Sequence, residues 1–177
     1  MATVLNIAGT LSGTAVAATI GTGIVESKVI NLETIAAAMI AIVTWSTIAW
    51  RYGLPTSETH ALVSGLAGAG LATAGPEALL WAGWQKVLIG LAFSTILGFL
   101  GGGVIIGLVY RLFKNSSHSK VKKLFGKLQI LSAAFMAFGH GSNDGQKFIG
   151  AFSLALVLGG AIPKFSVSWE VMVLCSL

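Results

Sequence analysis

Two short stretches of this chain carry side chains able to do chemistry. The first, "GHGSNDGQK" at 139–147, sets His140, Asn143, Asp144 and Lys147 at spacings of i, i+3, i+4 and i+7. On a helix that spacing gathers all four on one face. Asn and Asp oxygens are hard ligands suited to a cation such as Na+, and Asp144 is equally able to take up a proton. His140 and Lys147 donate hydrogen bonds to an anion. The second stretch, "PTSETH" at 55–60, places Thr56, Ser57 and Thr59 where Pro55 ends one helix and another begins. A helix N-terminus presents unpaired N–H groups and a partial positive charge, and hydroxyls add donors, which suits a tetrahedral oxyanion. Glu58 fits that chemistry only if it turns away, is protonated or holds a cation.

Each stretch has a plainer reading. Asp144 and Lys147 at i, i+3 could simply neutralise each other, and Ser57 or Thr56 could simply cap a helix. Against the first, a charged residue at a membrane centre costs about 2.5–3.5 kcal/mol, so two together need a reason. Against the second, a cap accounts for one hydroxyl of the cluster. Residue types alone also admit a divalent-metal transporter using Glu58, His60, His140 and Asp144, or a hydrolase using Ser57, His60 and Asp144. The hydroxyl cluster argues against the metal, and nothing beyond residue type supports the hydrolase. "GIVESK" at 23–28 lacks the second glycine of a nucleotide-binding loop, and Trp45 reads as packing.

The elements that must position these residues lie in a membrane. Of 177 residues, 55% are hydrophobic and 10% charged, against roughly 25% charged in soluble domains; the mean hydropathy is +0.86. Residues 1–25, 34–50 and 87–110 contain no charge, and each run suits a helix crossing an apolar core about 30 Å thick. The net charge of +5 does not imply nucleic acid, because six of eleven Lys and Arg residues fall in one segment, 111–127. By the positive-inside rule that segment is cytoplasmic and faces anionic lipid. Residues 87–110 then run inward and 128–150 outward, while "GPEALLWAGWQK" (75–86) lies at the outer interface. Upstream, helices over 3–24 and 32–50 are expected to cross inward and outward, joined by a cytoplasmic turn with Glu26, Lys28 and Glu33. Between them and the 87–110 span, 54–74 reads as a re-entrant hairpin bending at "GLAGAG" (65–70), or as one ordinary helix.

Taken together, "PTSETH" (55–60), "GHGSNDGQK" (139–147) and the small-residue run "GTAVAATIGTGIV" (13–25) resemble the inorganic phosphate transporter (PiT) family in its bacterial form. The resemblance covers nearly the whole chain. It implies an all-α integral membrane protein, with transmembrane helices and a re-entrant hairpin, forming part of an inverted-repeat transporter fold. It divides the chain into 1–110, the remainder of a first repeat with two spans, the hairpin over about 54–74 and one span; a basic cytoplasmic loop, 111–127; and 128–177, the start of a second repeat. It also implies secondary transport of inorganic phosphate by a multi-pass protein of the cell membrane. Thr56, Ser57, Thr59, His60, His140 and Lys147 are the implied substrate contacts, and Asn143, Asp144 and Gln146 serve the coupling cation, Na+ or H+. No other cofactor, metal centre or enzymatic activity is implied; sulfate or another oxyanion on the same fold is the alternative. No Gly-x-Asn-Asp motif precedes residue 141 and no second Pro-x-Ser-x-Thr-His motif follows it. One motif from each repeat is therefore present, and the chain reads as a piece. Its site requires further parts of the same transporter or another copy, without which it does not transport.

Overall fold

The computed structural model describes residues 1–176, all of them in helices and their connections apart from one isolated bridge between Val25 and Leu79. Helices α1 (Ala2–Leu11) and α2 (Ala15–Gly23) meet at 61° across Ser12–Gly13–Thr14. The single span expected over 3–24 is thus broken, at a point where a hydroxyl, a glycine and a second hydroxyl interrupt the apolar run. Helix α3 (Leu32–Tyr52) starts with a reciprocal cap: Thr34 N–H donates to the Asn31 side chain and Asn31 N–H to the Thr34 hydroxyl. It stops at Gly53, whose φ of +65° lies in the left-handed region that glycine adopts without strain.

Helix α4 (Glu58–Ala74) runs back along α3. Ser46 bonds Glu58 at one end of the pair and Thr34 bonds Thr73 at the other. The bend expected at 65–70 is absent, because α4 passes unbroken through all of "GLAGAG". Glycines among Leu and Ala do not by themselves break a helix. Two of them instead admit close neighbours, Gly65 beside Ile42 and Ala38, and Gly70 beside Val25. The chain reverses at 53–57, where Gly53 and Pro55 sit, so the arms of the hairpin are α3 and α4.

After a 3-10 turn, Gly75–Ala78, helix α5 (Trp81–Phe113) extends for 33 residues, about 50 Å. Its start lies against the end of α2: Glu26 N–H donates to Ala78 O, Leu80 N–H to Ile24 O, and a Cβ on Gly83 would strike Gly23. Residues 26–31 therefore lie at the Trp81 end of the molecule. The turn expected on the same side as the basic segment thus lies at the opposite end of α5. The basic segment is mostly helical too, α6 beginning at His118 and leaving 114–117 as connection.

Helix α6 (His118–His140), a π turn (Gly141–Gly145) and α7 (Gln146–Leu158) follow end to end. They lie alongside α1 and α2 with small residues at the contact. Gly9 meets Phe138, Gly141 meets the Asn6 backbone and Gly150 meets Ala17, the close approach that small residues permit between membrane helices. Ile20, Ile24, Ile35, Ala38, Leu62, Leu66 and Leu154 form the main core. The last helix, α8 (Trp169–Ser176), packs Val171 and Met172 against Ala17 and Ile149.

Candidate functional site

The two polar stretches, far apart in sequence, meet through Lys147. Its side chain is 1% exposed. Its ammonium stands 2.7 Å from Asp144 Oδ1 and donates to Thr59 Oγ1 at 2.6 Å. On the other side of Asp144, His140 Nε2 lies 3.0 Å from Oδ2, and His140 Nδ1 lies 3.0 Å from Asn6 Oδ1. One network therefore crosses α1, α6, the π turn, α7 and α4. Burying an ammonium is costly unless it is paired and hydrogen-bonded, and here both conditions are met.

The backbone accounts for this placement. The wider π turn carries Asp144 between His140 and Lys147, in the kind of local irregularity that recurs at functional sites. The Thr10 hydroxyl lies 2.9 Å from Asn6 O and 3.0 Å from Gly141 O, tying the start of that turn to α1. At the hairpin tip, Ser57 caps α4 by accepting from His60 N–H at 3.4 Å. The single Ser46 hydroxyl faces both Glu58 carboxylate oxygens, at 3.1 and 2.9 Å, so the Glu58 charge is turned onto α3. Of the ways Glu58 could sit at an anion site, this is the first.

Not every candidate joins the network. Thr56 accepts from Trp45 Nε1 at 3.0 Å, so Trp45 braces the tip rather than merely packing. Asn143 is exposed and donates to Gly139 O on its own helix. Gln146 is buried and accepts from Val16 N–H at 3.3 Å, capping the broken start of α2. Ser57 and His60 line both of two open cavities beside the tip. One, of about 550 Å³, includes Trp45 and Thr56; the other, of about 470 Å³, includes Thr19, Thr59, Lys86 and Ser94. Glu58, His60, His140 and Asp144 do not converge, and among the described residues no three His, Cys, Asp or Glu side chains lie close enough to hold one ion. Asn6, Thr10 and Ser46 are not among the sequence candidates, and Lys86, expected only as part of an interfacial segment, lines the second cavity. Asn6 and Thr10, four apart in an otherwise apolar run, were the available signal.

Fold and site together define an all-α integral membrane protein with a transporter fold. The chain belongs to the phosphate transporter family, whose profile matches residues 1–177. It is 36% identical over 159 residues to a probable low-affinity inorganic phosphate transporter of Bacillus subtilis, a match covering 89% of this chain and 48% of that protein. A protein of Rhizobium meliloti with the same description is 35% identical, over 92% of this chain and 49% of its own length. The low-affinity inorganic phosphate transporter PitB of Escherichia coli is 31% identical, over 72% of this chain and 30% of its own. The chain thus spans half or less of the length of these relatives. Among solved structures, one described as the sodium-dependent phosphate transporter superposes with a TM-score of 0.85. That match covers 99% of this chain and 62% of the other at 20% identity, a likeness of fold.

Proposed function

We propose that this chain forms part of a secondary transporter that carries inorganic phosphate across the cell membrane, driven by a gradient of H+ or Na+. The observation that carries the reading is the Thr59–Lys147–Asp144 link, which joins a hydroxyl-rich helix start to a buried ion pair. At the tip, the first amides of α4 with the hydroxyls of Thr56, Ser57 and Thr59 bind the oxyanion, and His60 faces it from the adjoining cavities. Asp144, held against Lys147, is the carboxylate through which binding depends on a cation. The basic segment marks the cytoplasmic end, so the hairpin enters from outside. The stretch of α3 from Thr34 to Ser46 measures about 18 Å at 1.5 Å per residue, a length compatible with a tip well inside an apolar core about 30 Å thick. The rest of the same protein, or another copy, supplies the opposite half of the site, and rocking of one repeat against the other switches access. Family membership and the names of the relatives support this reading.

The test is uptake of labelled phosphate by the full-length gene product in cells lacking their own phosphate uptake systems. Uptake blocked by excess unlabelled phosphate and indifferent to sulfate is expected. Inhibition by sulfate alone would move the assignment to another oxyanion on the same fold.

A further inference from the structure

The sequence leaves Asp144 open to a mobile cation, but in the fold its carboxylate is already engaged. Lys147 Nζ lies 2.7 Å from one oxygen and His140 Nε2 lies 3.0 Å from the other. Of the two side chains expected to complete a cation's shell, Gln146 already accepts from the start of α2, and Asn143 is exposed with its amide N–H held by Gly139 O on its own helix. We infer that the Lys147 ammonium is a built-in cation. It fills the place beside Asp144 that Na+ would otherwise take, and it turns the Thr59 hydroxyl toward the anion. The inference rests on the proposed transport function and assigns the cation at that same site.

The chemistry of the donors fixes the second half of the statement. An ammonium only donates, whereas a hydroxyl has one proton to give and lone pairs to receive. Thr59 accepts from Lys147 at 2.6 Å, so its own proton points elsewhere, and Thr59 lines the open cavity at the tip. Lys147 is sealed from solvent at 1% exposure, so its charge acts on Asp144 and the tip with little screening. It also ties the π segment to the hairpin as one unit.

Binding of labelled Na+ to the purified full-length protein tests this without relying on transport. The wild type is expected to show no Na+ binding that Asp144→Asn removes. Lys147→Ala and Lys147→Met, the second retaining the bulk of the stem, are expected to acquire such binding and to lose it again when combined with Asp144→Asn. Wild-type Na+ binding that is abolished by Asp144→Asn overturns the inference even if neither Lys147 variant folds. So does a folded Lys147 variant that binds Na+ no better than the wild type. In vesicles, phosphate uptake by the wild type is expected at equal rates in Na+ and in choline. A complete lack of uptake would count against the transport function alone, whereas uptake that stops in choline and is absent from Asp144→Asn would count against the built-in cation alone. Lys147→Ala is expected to lose uptake by about tenfold or more, the scale of a lost hydrogen bond to a charged group, and to recover part of it with added methylammonium.

Discussion

Thr59, Ser57 and Glu58 show how three neighbouring side chains divide the work of one helix start. Thr59 takes its bond from Lys147, Ser57 caps the helix, and Glu58 is drawn off by Ser46. Ser57→Ala is expected to raise the phosphate KM about tenfold or more with kcat little changed, as removal of a donor to a charged partner does, worth about 1.5–3 kcal/mol. Ser57→Gly keeps most of the capping preference, so a comparable loss in that variant separates anion contact from helix capping. Asp144→Asn is expected to abolish coupled uptake, because it leaves the buried Lys147 charge without its carboxylate. Uptake that survives both the Ser57 and the Asp144 changes would remove this site from the transport path. Ser46→Ala frees the Glu58 carboxylate beside the tip. Weaker phosphate binding is expected from the repulsion, and Glu58→Gln in the same background should restore it.

At the scale of elements, the π turn depends on close approach by α1. A Cβ on Gly141 would strike the Asn6 backbone and one on Gly145 would strike the Thr10 side chain. Gly141→Ala cannot be relieved by a rotamer change, since its obstacle is main chain. A destabilisation of about 1–3 kcal/mol, typical of overpacking, is expected as a lower thermal midpoint of the detergent-solubilised protein, together with loss of the His140–Asn6 register. Among the described residues, none lies within 4 Å of a Cβ added at Gly98 or Gly107 on α5, so Ala there should not lower the midpoint. The hairpin arms are held by a different device. The Asn31–Thr34 cap and the Thr34–Thr73 bond fasten their open end, and Asn31→Ala is expected to cost about 1 kcal/mol, read in the same melting assay.

Over the whole molecule, the decisive feature is which ends lie together. Residues 26–31 and 76–81 meet at one end through the Val25–Leu79 bridge and its neighbouring bonds. Helix α5 then carries the chain to the opposite end, where the basic segment begins. In a Cys175→Ser background, Lys28→Cys and Glu77→Cys are both expected to react with a membrane-impermeant maleimide from outside intact cells. Ser116→Cys should react only after the cells are opened. Protection of Lys28→Cys in intact cells would restore the inward first crossing. Large apolar side chains on α5 and α6, among them Phe93, Phe99, Ile106 and Phe135, are exposed. They are suited to contact with lipid or with other membrane helices.

Much of this was legible in the residues. Charge-free runs and the basic segment implied membrane helices, because a bilayer excludes unpaired charge wherever the chain places it. The hydroxyls after Pro55 and the set around Asp144 pointed to two polar segments, which the fold joins through Thr59 and Lys147 while Asn143 stays on its own helix. Local signals also named Pro55 and the Thr56–Ser57 pair at the reversal between α3 and α4, but not Gly53, which stops α3, and the hairpin reading bent the chain at glycines that are packing surfaces. Glycine tolerates both a turn and a close neighbour, and the choice between them depends on what lies opposite. The same holds for Gln146, whose partner is 130 residues away, and for Glu58, whose direction is set by a serine on another helix. Which side chains are present was a property of the sequence. Which of them are already engaged was decided by tertiary contacts, because a donor or acceptor serves the partner that folding brings within reach.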